Sequence, residues 1–233
     1  MPASRAHGPA DLAEFRARMA SLRAELAPPT EAGAFEANTD GACLDNPDGP
    51  GGWAAVVEHL GRSATTWELW GHLSSTSNNR AEALGVLAAI EWVPPGSALV
   101  IRSDSELTIR ILDGAYKARA NTDVWIEIRH AIADRRLNVR AQWIRGHAGD
   151  PGNERADALS VLGAVGGDAK RWQRLRSSPR PGTPVPDELA GLKPSGAWEE
   201  SFVASVRKQL RSGRPLTEKQ QAVVNRIRCR GGA

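Results

Sequence analysis

A chain of 233 residues, 41% of them hydrophobic, is long enough for one sizeable core plus appendages. No apolar run reaches about 18 residues and no basic-then-hydrophobic leader opens the chain, which argues against a membrane-spanning or secreted protein and predicts a cytoplasmic one. The net charge of +3 hides an asymmetry: residues 1–33 carry 4 basic and 4 acidic groups, residues 34–167 carry 12 and 17, and residues 168–233 carry 14 and 6, or net 0, −5 and +8.

In chain order, Leu12, Phe15, Met19, Leu22 and Leu26 recur at spacings of three and four, which predicts an amphipathic helix over 10–27 stopped by Pro28 and Pro29. The pattern then shortens. A strand over 35–39, a glycine-rich turn from Asp45 to Gly52, a strand over 53–57 and a third over 65–73 read as antiparallel neighbours. Ala83, Val86, Leu87, Ile90 and Val93 mark a helix ended by Pro94-Pro95-Gly96, and Leu99-Val100-Ile101 is the short continuous apolar run of a strand buried on both faces. Helices from about Glu106 and over Val124–Ile132, a strand over 139–144 and a helix from about Asn153 complete the order βββαβααβα, an α/β mixed sheet flanked by helices.

The boundaries expected are 1–33 for an N-terminal helical extension, 34–166 for the main domain, 167–197 for a Pro/Gly/Arg-rich extended linker and 198–233 for a small basic helical module. That last module shows two helical patterns split by Ser212-Gly-Arg-Pro215, with Thr217 placed as an N-cap. Cys43 and Cys229 are too far apart for a disulfide framework and lack the neighbours a zinc site needs, so both are expected to be reduced.

Three acids sit where acids are costly. Asp40 ends the first strand pattern, Asp104 follows the buried run, and Glu82 lies on the same helix face as Val86 and Ile90, the face that meets the sheet. Taken singly each has an ordinary role, as turn aspartate, helix N-terminal charge or N-cap. Converging, they imply a site for a hard cation, Mg²⁺ first and Mn²⁺ second, because the ligands are all oxygen.

Four blocks then carry a resemblance: Asn38-Thr-Asp-Gly-Ala-Cys43 continuing through the turn to Trp53, Ser77-Asn-Asn-Arg-Ala-Glu82, Ser103-Asp-Ser105, and Trp143-Ile-Arg-Gly-His-Ala-Gly-Asp-Pro-Gly-Asn-Glu-Arg-Ala-Asp157. In order and spacing they resemble the motifs of the type 1 ribonuclease H family over roughly residues 34–165. The resemblance implies a ribonuclease H-like fold with a five-stranded mixed sheet, and an endoribonuclease that cuts the RNA strand of RNA–DNA hybrids with two Mg²⁺ ions, for which Mn²⁺ can substitute. It implies Asp40, Glu82, Asp104 and Asp157 as metal-binding carboxylates and His147 as a mobile histidine moving protons. Without the block, His147 is an ordinary surface-loop histidine. It also implies Cys43, Asn46, Ser77, Asn78 and Asn79 as groups that meet the nucleic acid, where the 2′ hydroxyl separates RNA from DNA.

Three departures qualify the resemblance. The turn is one residue longer at Asp48, Glu106 replaces a frequent glutamine, and the lysine- and tryptophan-rich handle of some members is missing, since only Lys117 and Arg119 are basic between Ile111 and Val124. The expected substitute is the C-terminal module, whose Arg207, Lys208, Arg211, Lys219 and Arg226 can neutralise phosphates. That module also resembles a helical appendix of some phage and bacterial nucleic-acid enzymes, and its helices are equally suited to docking a protein partner. A monomer is expected. The competing reading is a hybrid- or nucleic-acid-binding module without catalysis, or a DNA-cutting enzyme on the same scaffold.

Overall fold

The computed structural model describes residues 9–61, 65–146, 148–177, 189, 192, 196–211 and 218–230. The chain divides into two compact units, 1–169 and 170–233.

In the first unit, β1 (Ala34–Cys43), β2 (Gly51–His59), β3 (Thr65–Leu73), β4 (Ala98–Ser103) and β5 (Asn138–Trp143) form one sheet in the order β3-β2-β1-β4-β5. The first three strands pair antiparallel, and β4 and β5 join in parallel after helical crossovers. The helices are α1 (Pro9–Leu26), α2 (Asn78–Trp92), α3 (Glu106–Leu112), α4 (Thr122–Asp134) and α5 (Pro151–Ala164). The element order is the one the sequence predicts. Among the described residues no helix is long and apolar enough to cross a membrane.

Strand parity decides which layer each side chain enters. Along β2, Trp53, Ala55 and Val57 pack into the larger core with α1, α2 and α4, whereas Ala54 and Val56 pack on the other face against Ala156 and Leu159 of α5. Covered on both faces, β2 is buried from Gly51 to Val57, which is why its sequence reads as a nearly continuous apolar run. The same parity along β1 sends Phe35 and Ala37 into the larger core. It leaves Asn38 and Asp40 on the α5 side, where Asp40 stands opposite Ala54 in the antiparallel register.

Two details depart from the sequence reading. β1 continues through Gly41 to Cys43, so Asp40 lies inside the strand and not at its end. The glycine that reads as a strand breaker is there for a close approach: a Cβ at Gly41 would stand 2.1 Å from the Glu82 backbone nitrogen. The second departure is α6 (Ala169–Ser177), a helix in the segment expected to be an extended linker. Its sequence, Ala-Lys-Arg-Trp-Gln-Arg-Leu-Arg-Ser, starts two residues past Gly167, before the proline-rich run begins.

The second unit contains α7 (Ala197–Arg211) and α8 (Glu218–Arg230). Val206 and Val224 meet Leu189 in a small apolar cluster, with Leu192 and Phe202 packed against it. Thr217, the expected cap of α8, lies outside the described residues.

Candidate active site

The parallel pairing of β1 with β4 builds the first half of the site. Their ladder runs to Asn38 opposite Arg102, and two residues further along the two chains are Asp40, still inside β1, and Asp104, just past the end of β4. Helix α2 supplies the third acid. Arg80 and every residue from Ala81 to Ile90 are buried, and the close passage over Gly41 carries Glu82 to the Asp40–Gly41 stretch of β1.

Carboxylate oxygens of Asp40, Glu82 and Asp104 all lie within 4.8 Å of one another. Among the described residues, no lysine or arginine forms an ion pair with any of the three. Burial, opposed by the Ser160 hydrogen bond and reinforced by the charges of Asp157 and Asp104, pushes the Asp40 carboxyl up to about 7. Glu82 is pushed well above its ordinary range, by burial first and by Asp40 and Asp104 next. Two acids held against ionising, Asp40 and Glu82, with Asp104 beside them, offer only oxygen, a donor set that fits a hard divalent cation.

Neutral groups hold the acids in place. Ser160 Oγ donates to Asp40 at 2.5 Å, Ser103 Oγ faces Glu82 at 3.5 Å, and Asn153 Nδ2 donates to Asp104 at 3.2 Å. The Trp143 indole donates to the Asp104 carbonyl at 3.1 Å. Sequence reasoning assigned no role to Ser160, although its distance of three residues from Asp157 puts both on one face of α5. Asp157 itself stands outside the triad, near enough for its charge to act on Asp40. His147 lies outside the described residues.

The residues expected to meet substrate gather at the start of α2. Asn46 Oδ1 accepts from the backbone N–H of Asn78 at 2.9 Å, so the glycine-rich turn caps the helix in place of Ser77, whose own side chain makes no capping bond. The Cys43 thiol faces the carbonyls of Thr76 at 3.4 Å and Gly49 at 3.6 Å, tying the turn to the same loop, and burial pushes the thiol up. Asn79 is exposed and lines a groove of about 540 Å³ with Thr108, Ile111, Tyr116, Lys117 and Trp125. Glu106 is exposed and lies 3.6 Å from Arg110. In the basic module, Arg226 is exposed on α8, and the side chains of Arg207, Lys208, Arg211 and Lys219 lie outside the described residues.

A mixed sheet in this strand order, with an acidic triad where β1, β4 and α2 meet, is a ribonuclease H scaffold carrying a cluster that could hold a metal ion. The RNase H family profile matches residues 33–165. A Ribonuclease H of Methylorubrum extorquens is 40% identical over 136 residues, 53% of this chain, and the matched part spans only 57% of that relative. A Ribonuclease H of Paramagnetospirillum magneticum is 39% identical over 152 residues, 60% of this chain and 94% of the relative. Among solved structures, the N-terminal RNase H domain of a Mycobacterium tuberculosis protein, studied as a fusion with maltose-binding protein, superposes with a TM-score of 0.51 at 20% identity. It covers 60% of this chain and 99% of that one, a likeness of fold. The chain belongs to the type 1 ribonuclease H family, and it is an enzyme with ribonuclease H activity.

Proposed function

We propose that this ribonuclease H hydrolyses the RNA strand of RNA–DNA hybrids endonucleolytically, leaving 5′-phosphates, with two divalent cations held by Asp40, Glu82, Asp104 and Asp157. The observation that carries the reading is the triad of carboxylates within 4.8 Å, with which no lysine or arginine among the described residues forms an ion pair. Divalent cations bound there, Mg²⁺ with Mn²⁺ as a substitute, supply Lewis-acid activation of water and charge stabilisation at the leaving oxygen.

The protein's own groups orient and select. The Ser160 and Asn153 donors hold Asp40 and Asp104 in one orientation, which keeps the acids aimed at a common point before any ligand arrives. Asn78, Asn79 and Ser77, with Asn46 and Cys43 bracing them from the turn, present short polar groups and backbone to the nucleic acid, where a 2′ hydroxyl is the mark of RNA. His147, between Gly146 and Gly149, is the group suited to move a proton near neutral pH. Basic residues of the C-terminal module, Arg207, Lys208, Arg211, Lys219 and Arg226, add phosphate attraction that the missing handle would have supplied.

The test is incubation of end-labelled RNA–DNA hybrid, double-stranded RNA and double-stranded DNA with Mg²⁺, Mn²⁺ or EDTA, beside an Asp104→Asn variant. Metal-dependent cutting of hybrid RNA alone, lost in the variant, is the expected result. Tight hybrid binding with no cleavage under either metal would make the chain a binding module. For the tail, a chain ending at Gly167 should show a flatter dependence of hybrid affinity on salt, and full affinity at low salt would remove the tail from the mechanism.

A further inference from the structure

Helix α1 lies outside the residues matched by the family, yet Leu12, Phe15, Met19 and Leu22 are all buried in the main core, and the Phe15 ring centroid lies 4.9 Å from that of Trp53. Its polar residues reach across as well. Arg18 donates to the Trp70 carbonyl at 3.0 Å, Arg23 to the Glu91 carbonyl at 2.7 Å, and Arg16 to Glu127 at 2.6 Å.

Two further tethers converge on one short segment. The Glu14 carboxylate accepts from both the backbone N–H of Ser74, at 2.9 Å, and its hydroxyl, at 2.6 Å. Six residues on, the Arg80 guanidinium, 1% exposed, donates to Asp11 through Nε and Nη2 and to Asp123 through Nη1 and Nη2. The Asp123 side chain is 46% exposed while that of Asp11 is 4% exposed, so Asp11 is the buried neutraliser of a buried cation. Between these two fixed points lie Ser77, Asn78 and Asn79, and two residues past the second lies Glu82.

We propose that α1 is a positioning element for substrate recognition: through Glu14 and Asp11 it clamps both ends of the Ser74–Arg80 segment and so sets the edge that Ser77, Asn78 and Asn79 present to the nucleic acid. The inference rests on the hybrid-cleavage reading above. The apolar stripe of α1 packs the helix on the core. The two acids add something the stripe does not, a fixed register for the loop entering α2. That loop also carries the turn, since Thr76 N–H donates to the Gly49 carbonyl, Asp48 N–H to the Thr76 carbonyl and Asn78 N–H to Asn46. A loosened segment would therefore displace Asn46 together with the Asn pair.

The experiment uses the full chain with Asp11→Asn, Glu14→Ala and, as a stability control at the far end of the same helix, Leu22→Ala. Steady-state cleavage of hybrid gives KM and kcat, and hydrogen exchange by mass spectrometry reports the amides of residues 74–81. Both acid variants should raise KM by about fivefold, the size of losing one ordinary hydrogen-bonded tether, with little change in kcat and with protection lost across 74–81. Leu22→Ala should lower the melting temperature at least as much and leave KM in place. Unchanged KM in both acid variants, or an equal rise in Leu22→Ala, would reduce α1 to a structural brace and overturn the proposal. A wild-type chain that leaves hybrid uncut would overturn the functional reading beneath it, and the wild-type control separates that failure from the other.

Discussion

Replacing Asp40 with asparagine should stabilise the metal-free protein at neutral and alkaline pH. In the folded chain its carboxyl is raised from 3.8 to about 7, so the folded state binds this proton more tightly than the unfolded chain does. Such a group costs nothing well below pH 4, where it is protonated in both states, and little at pH 4 itself. The penalty grows as pH rises towards 7 and is complete above it. The rise from 3.8 to about 7 corresponds to about 4 kcal/mol at most. The partial exposure of Asp40 and relaxation of the neighbouring charges reduce this to about 2 kcal/mol. Asparagine keeps an oxygen to accept from Ser160 and removes the charge. The assay is urea denaturation in EDTA at pH 4 and pH 8, followed by tryptophan fluorescence. The variant should match the wild type at pH 4 and exceed it by about 2 kcal/mol at pH 8. Adding Mg²⁺ or Mn²⁺ should stabilise the wild type and leave the variant nearly unmoved. A difference between the two proteins that is the same at both pH values, or a variant no more stable at pH 8, would refute the reasoning.

Other consequences follow from the same geometry. Phe15→Ala should cost about 3–5 kcal/mol in thermal or chemical denaturation, because the ring is fully buried against Trp53 in a packed core. Gly41→Ala should weaken Mn²⁺ binding by at least about tenfold in calorimetry, since its methyl would meet the Glu82 backbone and displace the helix that delivers that acid. Ser160→Ala removes the hydrogen bond that opposes the raised state of Asp40, so the pH midpoint of metal binding should move upward, as titrations at several pH values would reveal. Arg155 pairs with Glu68 through two bonds of 2.7 and 2.6 Å, but both side chains are more than 40% exposed, so Arg155→Ala should shift stability by less than about 1 kcal/mol.

The fold was legible where local pattern and tertiary environment agree. The period of α2 announces a helix with a face toward the sheet, and the turn residues between strands announce antiparallel neighbours. Asp40 was misplaced at a strand end because Gly41 carries two signals, a break in the strand and room for another backbone, and only the tertiary structure tells them apart. Helix α6 was hidden because the linker reading averaged its composition with that of the proline-rich run that follows. Within the site, an acid on an apolar face is a local anomaly and can be read directly. The partners of those acids cannot: Ser160 and Asp40 are 120 residues apart, and Asn46 reaches Asn78 only after the turn has folded back. The pairing of Arg80 with Asp11 was likewise beyond reach, since nothing along the chain marks which acid answers a buried arginine.

The closeness of Gly41 to α2 has a counterpart on the other side of the sheet, where a Cβ at Gly52 would stand 2.2 Å from the Ser160 carbonyl. Both helices that bear on the acids are therefore seated on bare main chain. Main-chain thickness is the same in every protein, whereas side-chain thickness changes with each substitution. The separation of the charges is thus insulated from drift in the core around it. The apolar interior can change around them while Glu82 and Ser160 keep their distance from Asp40, so long as these two positions stay empty of side chain.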